Sequence, residues 1–326
     1  MNADARSSDF ETWCGDHATT QLWVWIDGEP VVERCFGDTG PGDTRDVGSI
    51  QKNVICAVIA VLAERDEIDI DLPMSTWLGR GWTRATADDE DLITMRSVMS
   101  MTTGLHADLT LEAAPGEVWT YNNPAYHLVK KALAEISGST TQGLCEQLVF
   151  GPLGMTDCRW YDRPGASLPG GWPVSGLLAS ARDLARFGTA MLDLGTELGA
   201  DTALLAEATS SSQELNPSWG LLWWDLSAPR ALLLGHRPGE PVDPLNPLGR
   251  IPIERRIAPD APPDTFAGLG IGDQRLYVAP SRRAVVVRLG DPISGGTGQA
   301  RSIDVELWSR LELTSPALAP IRKDPT

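Results

Sequence analysis

Four residues in the first half of the chain have the types and spacing for acyl-transfer chemistry: Ser49, Lys52, Tyr121 and Asn123. In Gly48-Ser49-Ile50-Gln51-Lys52 the serine and lysine stand three positions apart, so on a helix they share a face. A lysine deprotonated by burial and neighbouring charge can take the serine proton, and a helix N-terminus favours the anion that develops. Only Lys52, Lys130, Lys131 and Lys323 are lysines among 27 basic residues, so the spacing carries more information than usual. The plain alternative is a helix-capping serine followed by a solvated lysine. Tyr121 and Asn123 follow Pro115 and Gly116. A tyrosine beside an ammonium can shuttle protons, and an asparagine amide can hold both the lysine and a substrate carbonyl. For these two the plain readings are a packed loop aromatic and a helix cap before Pro124.

The elements that must position these residues can be read from the pattern. Gln21 to Ile26 and Val31 to Phe36 predict two strands around an Asp27-Gly28 turn, and Ile50 to Glu64 predicts a buried helix with Ser49 at its start. Further helices are expected over 91–101, 123–137 and 180–192. Gln274 to Val278 and Ala284 to Leu289 read as strands joined by Pro280 and Ser281, with a closing helix over 302–311. Strands at both chain ends with helices between predict an α+β fold whose antiparallel sheet is built from both termini. The expected organisation is an N-terminal extension (1–20), one catalytic domain (21–312) and a C-terminal tail (313–326). Within that domain, an α/β lobe takes 21–65 and 266–312, a mainly helical lobe takes 66–224, and residues 225–265 form a long loop carrying nine prolines.

The sequence resembles the serine beta-lactamase and penicillin-binding-protein superfamily, in particular its class C-like branch of esterases, D-stereospecific peptidases and 6-aminohexanoate-dimer hydrolases. Beyond the two motifs, the resemblance rests on Ile68 to Pro73 with Trp77 and Leu78, Met99 to Leu105, Pro115 to His127, Pro152 to Met155, and Gly176 to Phe187, in the family order. It covers roughly residues 20–310. The resemblance implies a beta-lactamase/transpeptidase-like fold, with Ser49 as acylated nucleophile, Lys52 as its base partner, Tyr121 as general acid or base and Asn123 as an orienting residue. Counting back from Tyr277 to Pro280 places the third family motif at Gly268-Leu269-Gly270, followed by Ile271. Glycines there are expected to let substrate approach the strand, and the backbone N–H groups of Ser49 and Ile271 then form the expected oxyanion hole.

This sequence departs from the family at that motif, which usually begins with Lys or His. Without a cation at 268 or 269, ester or amide hydrolysis is favoured over beta-lactam hydrolysis, although Arg275 and Arg288 stand on the same predicted sheet. Beta-lactamase, D-aminopeptidase or DD-peptidase activity is the alternative, and a non-catalytic binding member of the fold is the alternative of another class. Pocket candidates are Gly268, His106 in the loop after Gly104, and Trp223 and Trp224, which alternation sends to opposite faces of a strand.

A net charge of −17 argues against a nucleic-acid partner. No stretch reaches the length of a membrane span and no apolar signal core opens the chain, so a cytoplasmic enzyme without a membrane partner is expected. A Gly-x-Ser-x-Gly elbow is missing, which disfavours an α/β-hydrolase. Neither the four histidines nor the five scattered cysteines show metal-ligand spacing, so no metal or cofactor is expected, and the partner is a small ester or amide. Oligomeric state has no signature in the sequence.

Overall fold

The structure, a computed structural model, describes residues 3–168, 171–236, 239, 241–293 and 301–314. Its eleven strands are β1 (Thr19–Ile26), β2 (Glu29–Cys35), β3 (Arg45–Asp46), β4 (Arg159–Ser167), β5 (Pro173–Ala179), β6 (Trp224–Asp225), β7 (Ala231–Leu234), β8 (Arg250–Ile253), β9 (Phe266–Gly270), β10 (Gln274–Ala279) and β11 (Ala284–Gly290). Six of them form an antiparallel sheet in the order β2-β1-β11-β10-β9-β6, so the chain's first and last strands lie side by side. Asp27 and Gly28 both have positive φ, 54° and 80°, which joins β1 to β2 with the twist a two-residue hairpin needs.

Strand alternation decides what covers each face of this sheet. Leu276 and Val285 meet the helix Ala181–Leu192 at Gly188, where a Cβ would lie 2.5 Å from Val285 and 3.0 Å from Leu276. Arg275 and Tyr277 point the other way, to the closing helix Arg301–Thr314. There Arg275 Nε donates to Asp304 Oδ1 at 2.8 Å, the Tyr277 hydroxyl donates to the same oxygen at 2.5 Å, and the Tyr277 and Trp308 rings meet edge to face. Both partners of this ion pair are buried, so removing the carboxylate strands a charge away from water. Asp304→Ala is expected to cost about 3–5 kcal/mol, read as a fall in denaturant midpoint at unchanged slope; an unchanged midpoint would refute the pairing.

The N-terminal residues differ from expectation. Ala3–Asp16 is a helix that packs on β1 and the closing helix with Phe10 and Cys14 buried, so these residues belong to the core and are not an appendage. The tail expected over 313–326 lies outside the described residues from 315 onward. Within the stretch expected to be mainly helical, β4 and β5 form a second sheet, which β3 from the preceding segment completes. Helix 91–101 shrinks to Met95–Met99, because the Thr94 side chain caps its start and Met101 turns to φ 60° just past its end. The proline-rich loop contains the β7–β8 hairpin and is tied down, with Ala107 N donating to Leu245 O and Arg250 donating to Trp119 O.

The helix Gln51–Glu64 is apolar around its whole circumference, and Gln51 through Leu62 are buried. The Gly48–Ile50 turn just before it abuts β9 and β10, which brings Ser49 against the main sheet.

Candidate active site

Ser49 sits in a 3₁₀ turn, Gly48–Ile50, that feeds directly into the Gln51–Glu64 helix. Gly48 makes this turn possible: its φ is 57°, and a Cβ there would lie 2.8 Å from the backbone N of Ile271. Asp46 Oδ1 holds the turn from below by accepting from Gly48 N at 2.9 Å. Ser49 is not a helix cap, and Lys52 is only 2% exposed, so both plain readings of this motif fail.

The four candidate residues converge around the serine oxygen. The Tyr121 hydroxyl donates to Ser49 Oγ at 2.8 Å, and Lys52 Nζ lies 3.4 Å from the same oxygen. Lys52 also donates to Asn123 Oδ1 at 2.9 Å. Of Ser49, Lys52 and Tyr121, only the serine retains appreciable contact with solvent, so its hydroxyl is the atom a substrate can reach.

Burial controls the charge of the two groups flanking it. Enclosure in apolar surroundings, with the Lys130 and Arg163 cations adding to it, holds Lys52 well below the ordinary lysine range and so favours its unprotonated amine. Burial pushes the Tyr121 phenol upward, with only slight relief from its bond to Ser49, so the phenol keeps its proton. Burial therefore favours the uncharged form of both groups that flank this oxygen.

Tyr121 is held from behind by aromatic rings. Trp219 meets it edge to face at 5.4 Å, and Trp119 and Trp224 complete the stack. Trp224 is 4% exposed and Trp223 is wholly buried between Phe187 and Phe266. Alternation does send the two tryptophans to opposite sides, but neither walls an open pocket, because ring packing within the core occupies both. His106 is held by its own contacts: its backbone pairs with Thr110 and accepts from Asn122, and its Nδ1 lies 3.8 Å from Glu112.

The glycines of β9 have a different cause from the one expected. A Cβ on Gly268 would lie 2.1 Å from Asn53 Oδ1, and one on Gly270 would lie 2.2 Å from Val47 O. Close approach of the segment that bears Ser49 demands them. Gly270→Ala would push the Val47 backbone and the turn behind Ser49. We expect a stability loss of about 1–3 kcal/mol with a disproportionate fall in turnover, about a hundredfold. Denaturation and ester hydrolysis measured side by side check this, and wild-type turnover in the variant would contradict it.

Ile271 follows at the end of β9 with its side chain 73% exposed and its amide beside Gly48. Arg275 and Arg288 are not ligands of this site. Arg275 is committed to Asp304 and Gly270 O, and Arg288 to Thr19 and the backbone of His17, Asp273 and Asp291. Among the described residues, no group of three His, Cys, Asp or Glu side chains is placed to hold a metal ion, and no helix is long and apolar enough to cross a membrane.

Sequence reasoning missed Asn53, Gln51, Tyr126 and Lys130. Asn53 Nδ2 donates to Leu222 O while its Oδ1 faces Gly268. Lys130 carried the one available signal, as a lysine in a lysine-poor chain four positions after Tyr126 on a helix.

A Ser-x-x-Lys pair at the head of a buried helix, faced by a Tyr-x-Asn pair and flanked by an antiparallel sheet of both termini, is the arrangement of a serine hydrolase of the beta-lactamase fold. The beta-lactamase family model matches residues 14–289, and the chain belongs to that family. Among curated proteins, it is 25% identical over 183 residues to the D-alanyl-D-alanine-carboxypeptidase/endopeptidase AmpH of Escherichia coli K12, covering 46% of this chain and 47% of AmpH. The chain thus spans about half the length of that relative. Two solved structures share the fold across nearly the whole chain. One is a penicillin binding protein from Bacillus halodurans, at TM-score 0.65 and 13% identity, covering 97% of this chain and 99% of that one. The other is a D-stereospecific amidohydrolase from Streptomyces sp., at TM-score 0.62 and 14% identity, covering 93% and 98% respectively.

Proposed function

We propose that the protein is a serine hydrolase that cleaves ester or amide bonds of a small molecule through an acyl-enzyme on Ser49. The observation that carries this reading is the convergence of Lys52 Nζ and the Tyr121 hydroxyl on Ser49 Oγ. With Tyr121 donating to that oxygen, the serine proton is free to point at the neutral Lys52 amine. Lys52 takes this proton as Oγ bonds to the substrate carbonyl carbon, and the resulting oxyanion accepts from the N–H groups of Ser49 and Ile271. Collapse breaks the bond to the leaving group, which takes the Tyr121 proton; Lys52 resupplies Tyr121. A water then attacks the acyl carbon, gives up its proton through the same pair, and Ser49 recovers its own.

Gly268 offers no side chain where the family usually has a cation, and Arg275 and Arg288 are buried elsewhere, so uncharged ester and linear-amide substrates are favoured over carboxylate-bearing beta-lactams. Similarity to AmpH supports a second reading, a D-peptidase, which a panel of D-alanyl amides beside short esters distinguishes. The decisive experiment is covalent labelling with a fluorophosphonate. One adduct, on the peptide bearing Ser49, is expected; an unlabelled protein, or equal labelling of Ser49→Ala, would sink the proposal.

A further inference from the structure

Lys130 is buried to 1% exposure in the Asn123–Ser137 helix, yet among the described residues no carboxylate lies within ion-pair distance of it. Its ammonium is held by neutral acceptors: Gln51 Oε1 at 3.1 Å, Ser175 Oγ at 2.7 Å and Ser175 O at 3.1 Å. It also lies over two rings, Trp160 at 4.8 Å and Tyr126 at 5.4 Å. A buried lysine without a counter-charge is costly to keep, and three satisfied hydrogen bonds with two ring faces show that the surroundings are built around it.

Two physical links run from this group to the candidate site. The first passes through Gln51, which receives the Lys130 bond on its oxygen and donates through its nitrogen to Gly48 O at 3.2 Å, directly behind Ser49. The second passes through Tyr126, whose fully buried ring is shared, with Lys52 Nζ over it at 4.4 Å. The two nitrogens therefore sit within about 10 Å of each other, where a unit charge moves a partner's pKa by about one unit.

We propose that Lys130 is a positioning residue for the Ser49 reaction, fixing the turn behind the nucleophile through Gln51 and keeping Lys52 unprotonated through its own positive charge. This rests on the reading of Lys52 as the base for Ser49. The charged and titratable groups facing Lys130 are Arg163 and Asp162 on β4, Asp46 on β3, Cys145, His127, Tyr126 and Lys52. Arg163 also bears on Lys52, but its charge is offset by its 2.7 Å pair with Asp46 Oδ2, whereas Lys130 has no ion-pair partner among the described residues. Burial lowers Lys130 itself to about 7, while Lys52 lies well below its ordinary value. Where Lys52 gains its proton on the acid side, Lys130 is charged and opposes that gain.

The test is the pH profile of kcat/KM for a short ester in wild type, Lys130→Met and Lys130→Arg. Without the charge, Lys52 holds its proton to higher pH, so the acid limb of Lys130→Met should move up by about one pH unit. Lys130→Arg should leave the limb at the wild-type position. A limb common to wild type and Lys130→Met, or displaced equally in both variants, overturns the proposal, because a purely structural role lowers the whole profile without moving it. Should Lys130→Met fail to fold, ¹³C-lysine NMR of the wild-type protein decides: Lys52 is expected to titrate below Lys130, and the reverse order refutes the proposal. Failure of the underlying hydrolase reading is a separate result, since Ser49→Ala would then retain turnover whatever Lys130 does.

Discussion

Ser49→Ala is expected to reduce ester turnover by about 10⁵-fold or more, equivalent to about 7 kcal/mol of transition-state stabilisation. The size follows from what remains. Alanine removes the atom that bonds to the acyl carbon, so Lys52 and Tyr121 are left without a nucleophile to serve, whereas the backbone donors at Ser49 and Ile271 persist. Those donors and substrate binding account for the residual rate that hydrolases keep when their nucleophile is lost. Stability should change little, because the lost hydroxyl accepts one bond from Tyr121 at a partly exposed position and supports no helix cap. A variant that folds, keeps its denaturation midpoint and retains more than about a thousandth of wild-type turnover would mean that another group carries the acyl transfer.

Lys52→Met should cost about 10²- to 10⁴-fold in kcat/KM, the usual range for loss of a positioned general base. Methionine fills nearly the same volume between the Tyr121 and Tyr126 rings, which separates the proton chemistry from packing. Lys52→Arg should not rescue, because a guanidinium stays charged and cannot accept the serine proton. The wild-type pH profile carries the same information with a definite sign. Burial lowers the Lys52 pKa, so the neutral, proton-accepting amine persists to lower pH than in an ordinary lysine. Activity falls as pH drops through the lowered Lys52 value. An acid limb surviving unchanged in Lys52→Met would assign it to a different group.

Much of this site was legible as spacing. Ser49 and Lys52 are neighbours on one turn of one helix, so three positions of sequence sufficed to pair them. Tyr121 and Asn123 were legible as a motif, but their meeting with Ser49 and Lys52 spans separations of 72 and 71 residues, which no local pattern encodes. Strands β1, β2, β10 and β11 and the long helices were equally accessible, because hydrophobic period and the Asp27-Gly28 turn are local properties. Residues 3–16 were not, since an amphipathic signal is weak there and only docking against β1 and the closing helix orders them.

The glycines of β9 show the same division. Their types and their place before β10 stood in the sequence; that they exist to admit Asn53 and the Val47 carbonyl became visible only when two segments more than two hundred residues apart were brought into contact. The tryptophans likewise read as pocket candidates until packing turned them into the support behind Tyr121.

The sequence by itself determined the fold class, the Ser-x-x-Lys and Tyr-x-Asn pairings and the lack of a cation at 268 and 269, because each depends on residue type and short-range spacing. Tertiary structure alone decided which groups are charged. Removing Lys52, Lys130 and Tyr121 from water, and setting the two lysines over one tyrosine ring, is a property of the whole packed core, and that burial pushes all three towards their uncharged forms.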